Sequence, residues 1–281
     1  MIYKEEKMQF RVFTISSLLM ILVSQIYAQS PPVERQKSAN SIFGSRSYFP
    51  LRKKATKEQK KQLLPKTEDL QTYAQLLAQP KTGIFRLLPD LECETNSLVI
   101  KADETCLKAI PESSFYSFRE QEHTREIQAD LRLKSNYFIS DGILSLGILV
   151  KLGDIALQNV TTESAGLKFL TDYAPQALNK EAQKQFLQMT NGVKSGGYEY
   201  RTIVSANENT TYAMRVVAYK GSVLRTYRGF RFDLLQGDKR IDLTLAFRVI
   251  RRDKDGGLTI LWKELARQKS PRIKFEKRRI Q

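Results

Sequence analysis

The stretch RIDLTLAFRVIRRDKDGGLTILWK, running from Arg240 to Lys263, decides the fold. Ile241, Leu243, Leu245, Phe247 and Val249 alternate with Asp242, Thr244 and Arg248. Leu258, Ile260 and Trp262 resume the pattern beyond Asp253-Lys254-Asp255-Gly256-Gly257. Successive strand residues point to opposite faces, so alternation on both sides of a Gly- and Asp-rich loop predicts a β-hairpin with one apolar face. Asp253-Lys254-Asp255-Gly256 is similar to the start of a calcium loop. It lacks a third ligand position and a closing Glu, so it reads as the hairpin turn.

Upstream, Gln236-Gly237-Asp238-Lys239 joins the hairpin to a strand over 228–235, in which Phe230, Phe232 and Leu234 share a face. Before it come strands at 198–206 and 210–219, the second with Tyr212, Met214, Val216 and Ala218 on one face. Short turns make neighbouring strands antiparallel, which predicts a meander of about five strands over 198–263. A helix begins at Asn179, with Ala182, Phe186, Met189 and Val193 as its apolar stripe and Asn191-Gly192 as its cap. A strand at 143–150 (ILSLGILV) is apolar almost throughout, as expected of one covered on both faces, and Gly147 within it predicts a bulge, a bend or a close contact.

Further upstream, Leu131, Leu133, Tyr137 and Ile139 predict one face of a single strand, and 113–119 an aromatic strand. Short strands are expected at 83–88 and 97–102. Thr67 would cap a helix reaching Gln79, with Leu70, Tyr73, Ala74 and Leu77 inward and Pro80 ending it. The fold class is therefore α+β and β-dominated. Its centre is a curved antiparallel meander sheet, open or a partly closed barrel, with one or two packed helices.

Residues 1–28 read as a signal peptide. Lys4, Lys7 and Arg11 precede the apolar run Val12 to Val23, which is shorter than the roughly 20 residues a membrane span needs, and Ala28 offers a cleavage point. An uncleaved anchor is the alternative. With the signal removed, no segment is long and apolar enough to cross a membrane as a helix. Residues 29–66 read as a basic disordered linker, 67–265 as a single α+β domain, and 266–281 as a basic C-terminal tail.

The net charge of +16 is confined to the ends. Residues 29–66 hold ten basic and two acidic side chains and 263–281 eight and two, which leaves 67–262 near +1. Nucleic-acid binding is therefore not expected of the globular part, while the ends would favour an anionic surface such as phospholipid or polysaccharide. Cys93 and Cys106 are the two cysteines, and export to an oxidising compartment predicts a disulfide. No Cys/His cluster has metal-ligand spacing, and no cofactor motif is present.

The single histidine, His123, lies among alternating charges in FREQEHTRE, as on a solvated loop, without nucleophile-elbow glycines nearby. Asp130, Asp141, Asp154, Asp233 and Asp242 are candidates for a carboxylate pair. Asp233 and Asp242 are also expected to pair across strands with Arg231 and Arg248. Basic and aromatic residues interleave at Arg225, Tyr227, Arg228 and Arg231, and with Arg248 these form a candidate surface for polyanions or carbohydrate. Arg228-Gly229-Phe230-Arg231-Phe232 resembles the strand motif of RNA-recognition domains, but departs from it at Arg231, Asp233 and Leu235. Otherwise Phe230 and Phe232 belong to the core, with the arginines outside. Asn159 and Asn209 begin glycosylation acceptor motifs.

The expectation is an exported, non-catalytic binding or structural domain held to an anionic surface or a protein partner. A carboxylate-based hydrolase acting on glycans and a carrier of an apolar ligand are the alternatives.

Overall fold

A computed structural model describes residues 55–93, 104–227 and 229–275. The signal peptide, most of the linker, the strand expected at 97–102 and the last six residues lie outside them.

The described chain is β-dominated. Its helices are α1 (Lys57–Gln62), α2 (Thr67–Thr72), α3 (Ala74–Leu77), α4 (Glu104–Leu107), α5 (Lys168–Asp172) and α6 (Asn179–Asn191). The early strands are β1 (Thr82–Leu87), β2 (Phe115–Ser117), β3 (Glu122–His123), β4 (Leu131–Lys134), β5 (Tyr137–Ser140) and β6 (Ser145–Gly153). The later ones are β7 (Val193–Ser195), β8 (Tyr198–Arg201), β9 (Ile203–Ser205), β10 (Thr210–Ala218), β11 (Leu224–Tyr227), β12 (Phe230–Asp233), β13 (Ile241–Arg252) and β14 (Leu258–Lys269).

The predicted hairpin is β13–β14, and its register pairs Phe247 with Trp262 and Val249 with Ile260. Leu243, Leu245, Phe247 and Val249 are fully buried, as the alternation requires. The strand order is not the meander that the short turns predicted. The main sheet runs β1-β14-β13-β10-β6-β8-β7, so β10 lies between β13 and the much earlier β6. All its pairings are antiparallel, and bulges in β10 and in β13–β14 bend it.

A second sheet, β3-β2-β4-β5-β9, covers one face of the main sheet. Phe118, Leu131, Leu133 and Phe138 of that sheet region meet Tyr212, Met214, Leu245, Phe247 and Trp262 in one core. Helices cover the other face, where Leu76, Leu157, Leu170, Ala182 and Met189 meet Ile148, Val150, Ala213, Val217, Ala246 and Leu261. Each fully buried Leu or Phe is worth about 1.5–3 kcal/mol, so the central strands are stabilised from both sides. β6 is covered on both faces, as its continuous apolar run implied. Gly147 there marks a close contact: a Cβ at that position would lie 2.5 Å from the Ser140 side chain and 2.8 Å from Met214 Cε.

Other local expectations are corrected. Residues 131–140 form two strands around Ser135-Asn136, with Lys134 opposite Tyr137. The turn reverses the phase, so Phe138 is buried while Tyr137 is 51% exposed. The helix expected from Thr67 to Gln79 breaks at Tyr73, and Lys66 takes the N-cap position without a side-chain bond. It buries Asp69 and Leu76 and leaves Leu70 exposed. α6 spans Asn179–Asn191 and ends at Gly192 with φ 93°, as the sequence implied, but Phe186 stays in solvent.

Both basic ends are partly built into the fold. α1 lies within the expected linker, and Lys66 pairs with Asp253 at 2.8 Å. β14 continues to Lys269, past the expected start of the tail at 266, and Ile273 beyond it is buried. The residue 270–275 segment then lies against Lys220 and the start of α6, through Ile273 N to Lys220 O and Lys274 N to Ala177 O.

Candidate functional site

β11 and β12 do not join either sheet. They form their own two-stranded ribbon, with Leu224 opposite Asp233, Arg225 opposite Phe232 and Thr226 opposite Arg231. Gly229, at φ +82°, makes the sharp turn at the tip, where a side chain would be strained but nothing crowds it. The root is fastened by Asp233, whose Oδ1 accepts from Leu235 N at 3.0 Å and Val223 N at 2.9 Å. Those two amides hold its carboxyl below the usual carboxylate range.

The anchoring of residues 238–240 explains why the ribbon leaves the sheet. Arg119 is fully buried and donates to Asp130 Oδ1 at 2.7 Å and to Asp238 Oδ1 at 2.5 Å. Arg240 bonds Asp238 at 2.6 Å and Tyr219 O at 2.9 Å. This network fixes residues 238–240 beside the root, and Leu235 just before it is buried, so the excursion into solvent is confined to the ribbon between them and Val223. Burial disfavours the Arg119 charge, but the Asp130 and Asp238 carboxylates outweigh it and raise its pKa.

Cross-strand partners share a side and neighbours along a strand alternate. Arg225, Phe230 and Phe232 therefore face one way, and Leu224, Thr226 and Arg231 the other. Both sides meet solvent: Leu224 is 48% and Phe230 79% exposed, and Arg225, Thr226 and Arg231 are exposed as well. The core placement expected for Phe230 is thus overturned. Among the described residues the strands pair only with each other, and no third strand covers the phenylalanine.

Cations gather at the root. Lys220, three residues before Val223, bridges to Arg272 in parallel, while Lys269 lies opposite Ile241 and Lys274 bridges to Leu178 at the start of α6. Among the described residues, Lys220, Arg225, Arg231, Lys269, Arg272 and Lys274 join no ion pair. Arg225 and Arg231 thus lie on the same ribbon but on opposite faces of it. Arg228 and the Tyr227 side chain lie outside the described residues. Arg248 is elsewhere. It lies six residues along β13 from Asp242, about 20 Å at the strand repeat, and donates to Asp154 at 2.6 Å and Ile155 O at 3.0 Å.

The expected cross-strand pairs are also replaced. Asp242 pairs with Arg215, not Arg248, through bonds of 2.9 and 2.8 Å, with side chains 3% and 2% exposed. Arg215 also donates to Leu170 O at 2.5 Å and Tyr173 O at 2.7 Å, closing the C-terminal end of α5. The pair floors a cleft of about 360 Å³ lined also by Thr171, Tyr173, Gln268 and Lys269. Burial raises the Tyr173 phenol and pushes Tyr219 up to about 12. A second cleft of about 460 Å³ lies among Asn136, Tyr137, Glu208 and Arg252.

His123 is not on a solvated loop. It sits in β3 with Nδ1 3.2 Å from Phe115 O and its ring edge-on to Phe85 and Tyr116. Burial lowers its pKa, which keeps the ring neutral in a packed wall. The disulfide between Cys93 and Cys106 is formed, with the Cα atoms 5.4 Å apart.

Sequence reasoning missed the meeting of Lys220 and Arg272, because it depends on pairing between distant segments. It also missed Arg215, although a lone charge in TTYAMRVVA is itself a sign of a buried ion pair. No family model, curated protein or solved structure matches the chain.

Proposed function

We propose that this is an exported binding domain that attaches to an anionic surface through the β11–β12 ribbon. The carrying observation is Phe230, 79% exposed on a ribbon that bears Arg225 and Arg231 and stands in solvent on both sides. An exposed aromatic on the same ribbon as two arginines outside any ion pair offers an anionic surface both an apolar and an electrostatic contact. The root cations supply long-range attraction, and the basic residues between 29 and 54 add to it. The apolar run at 12–23 and the disulfide support export.

The two other readings draw less support. Asp130, Asp141, Asp154 and Asp242 each lie against an arginine, and Asp233 accepts two backbone amides. They are engaged as structural anions and do not form a carboxylate pair across a cleft. The space between the sheets is filled by Phe118, Phe138, Phe247 and Trp262 in mutual ring contact, which leaves an apolar ligand little room there.

Retention of the protein on an immobilised polyanion, measured across a salt gradient, tests the proposal. The Arg225→Glu/Arg231→Glu double variant should elute at distinctly lower salt, with unfolding unchanged because both side chains are exposed. Elution at the native position would remove the ribbon from the binding surface.

A further inference from the structure

We propose that the cleft over the Arg215–Asp242 pair is a binding site for a small organic monoanion, a carboxylate carried on a short apolar frame. The site is separate from the ribbon and does not depend on the anionic-surface reading.

Its floor is charged yet shielded from water. Arg215 and Asp242 both line the cleft, and each residue is only 2% exposed. Hydrogen bonds made on such a floor are stronger than in water.

The bonding capacity left over there is mostly that of donors. Asp242 is largely occupied: Oδ1 accepts from Arg215 Nε, and Oδ2 accepts from Arg215 Nη2 and from Gln268 Nε2 at 3.0 Å. Arg215 Nη1 gives its hydrogens to Leu170 O and Tyr173 O. Nη2 also carries two hydrogens, and among the described residues only Asp242 accepts from it, so one N–H is left over. Lys269 lines the cleft too, is exposed, and joins no ion pair among the described residues.

Three hydroxyls add to these donors. Tyr173 Oη, Tyr219 Oη and Ser270 Oγ are buried without a hydrogen-bond partner. Tyr173 lines the cleft, Tyr219 lies close enough to the pair to feel both charges, and Ser270 falls between the lining residues Lys269 and Pro271. Burial raises both phenols, so they keep the proton that a donor needs. An unpaired buried hydroxyl is costly, and an accepting ligand oxygen would relieve that cost.

Charge and size then select the ligand. Arg215 and Asp242 cancel, and Lys269 leaves the lining at a net single positive charge, which a monoanion neutralises. The cleft holds about 360 Å³, near the lower end of the roughly 300–1,000 Å³ typical of small-molecule sites. Beside the charged floor stand the Tyr173 ring, Pro175 and Pro271, which give a carbon frame apolar contact that a bare inorganic anion cannot use.

Thermal unfolding of the full chain across a hexanoate series at constant ionic strength tests the site, with hexanamide as the uncharged isostere and phosphate as a compact anion. Hexanoate should raise the midpoint saturably, phosphate less, and hexanamide hardly at all. Lys269→Gln should weaken hexanoate binding about tenfold and Tyr173→Phe about fivefold. Both should unfold near the native midpoint without ligand, since Lys269 is exposed and the Tyr173 hydroxyl bonds nothing in the fold. Arg225→Glu/Arg231→Glu should bind hexanoate as the native chain does, which separates this site from the ribbon. An equal response to hexanoate and hexanamide, or a hexanoate response that both Lys269→Gln and Tyr173→Phe leave intact, overturns the site. A phosphate response as large as that to hexanoate overturns the organic frame.

Discussion

Replacing Asp242 by leucine would strand the Arg215 guanidinium in a site where its side chain is only 3% exposed. Two charge-assisted bonds of 2.9 and 2.8 Å disappear, while those to Leu170 O and Tyr173 O remain. Removing one partner of a buried ion pair costs about 3–5 kcal/mol, chiefly because the other charge is left uncompensated. For a domain of this size that corresponds to a fall in Tm of roughly 6–20 °C. Arg215→Met removes the same pair from the other side and also deprives two carbonyls at the end of α5 of their donor. It should cost at least as much. The Arg215→Met/Asp242→Leu double variant leaves no charge behind, so its cost should fall well short of the sum, with a coupling of about 3 kcal/mol. Urea unfolding followed by Trp262 emission gives all three values, because Trp262 is buried in the intersheet core. Additive costs, or an Asp242→Leu cost below about 1 kcal/mol, would refute the reasoning: the cleft above the pair would then be wet enough to solvate each charge alone.

Four further perturbations probe the disulfide, the tight glycine and two carboxylates. Cys93→Ser/Cys106→Ser opens a loop of separation 13, which should cost about 3 kcal/mol in thermal unfolding and be matched by reductant on the native protein. Gly147→Ala places a Cβ 2.5 Å from the Ser140 side chain in a two-sided core, so a loss of about 1–3 kcal/mol is expected in the same assay. Burial raises the Glu264 carboxyl, but Arg267 and Lys81 outweigh it and hold the group below the usual range. A depressed carboxylate contributes stability above its unfolded pKa and loses it as pH falls through the folded value, so unfolding midpoints should drop on acidification and drop less in Glu264→Gln. Asp141 is the opposite case. Burial raises it despite the Gly142 amide, so its charge weakens the fold at neutral pH, and Asp141→Asn should be more stable there with the gain fading in acid.

Much of the scaffold was legible because its signals are local. Alternation in β13 and β14 reports which residues share a face, and the 3.6-residue spacing with Asn191-Gly192 bounded α6 correctly. The disulfide was expected from two cysteines and the export that residues 1–28 suggest, and it is formed. The interleaving of Arg225 and Arg231 was legible as a property of adjacent residues, but their placement on opposite faces of a separate ribbon, away from Arg248, was not. Strand order was not legible, because β10 pairs with β6 across some sixty intervening residues and nothing in either strand names the other.

By itself the sequence determined the β-dominated class, the main hairpin, the charge at the ends and the cysteine pair. These depend on side-chain period and composition, which any stretch of chain carries alone. Tertiary structure decided what lies on the second face of β13: Asp242 is buried against Arg215, and Arg248 is spent on Asp154. It also decided that Phe230 is outside. A polar residue at a strand position reads the same whether water or a distant arginine satisfies it, and an aromatic reads as core whether or not a neighbouring strand arrives to cover it. Here Arg119 and Arg240 hold Asp238, the chain returns to the body beside the root, and the ribbon is left exposed.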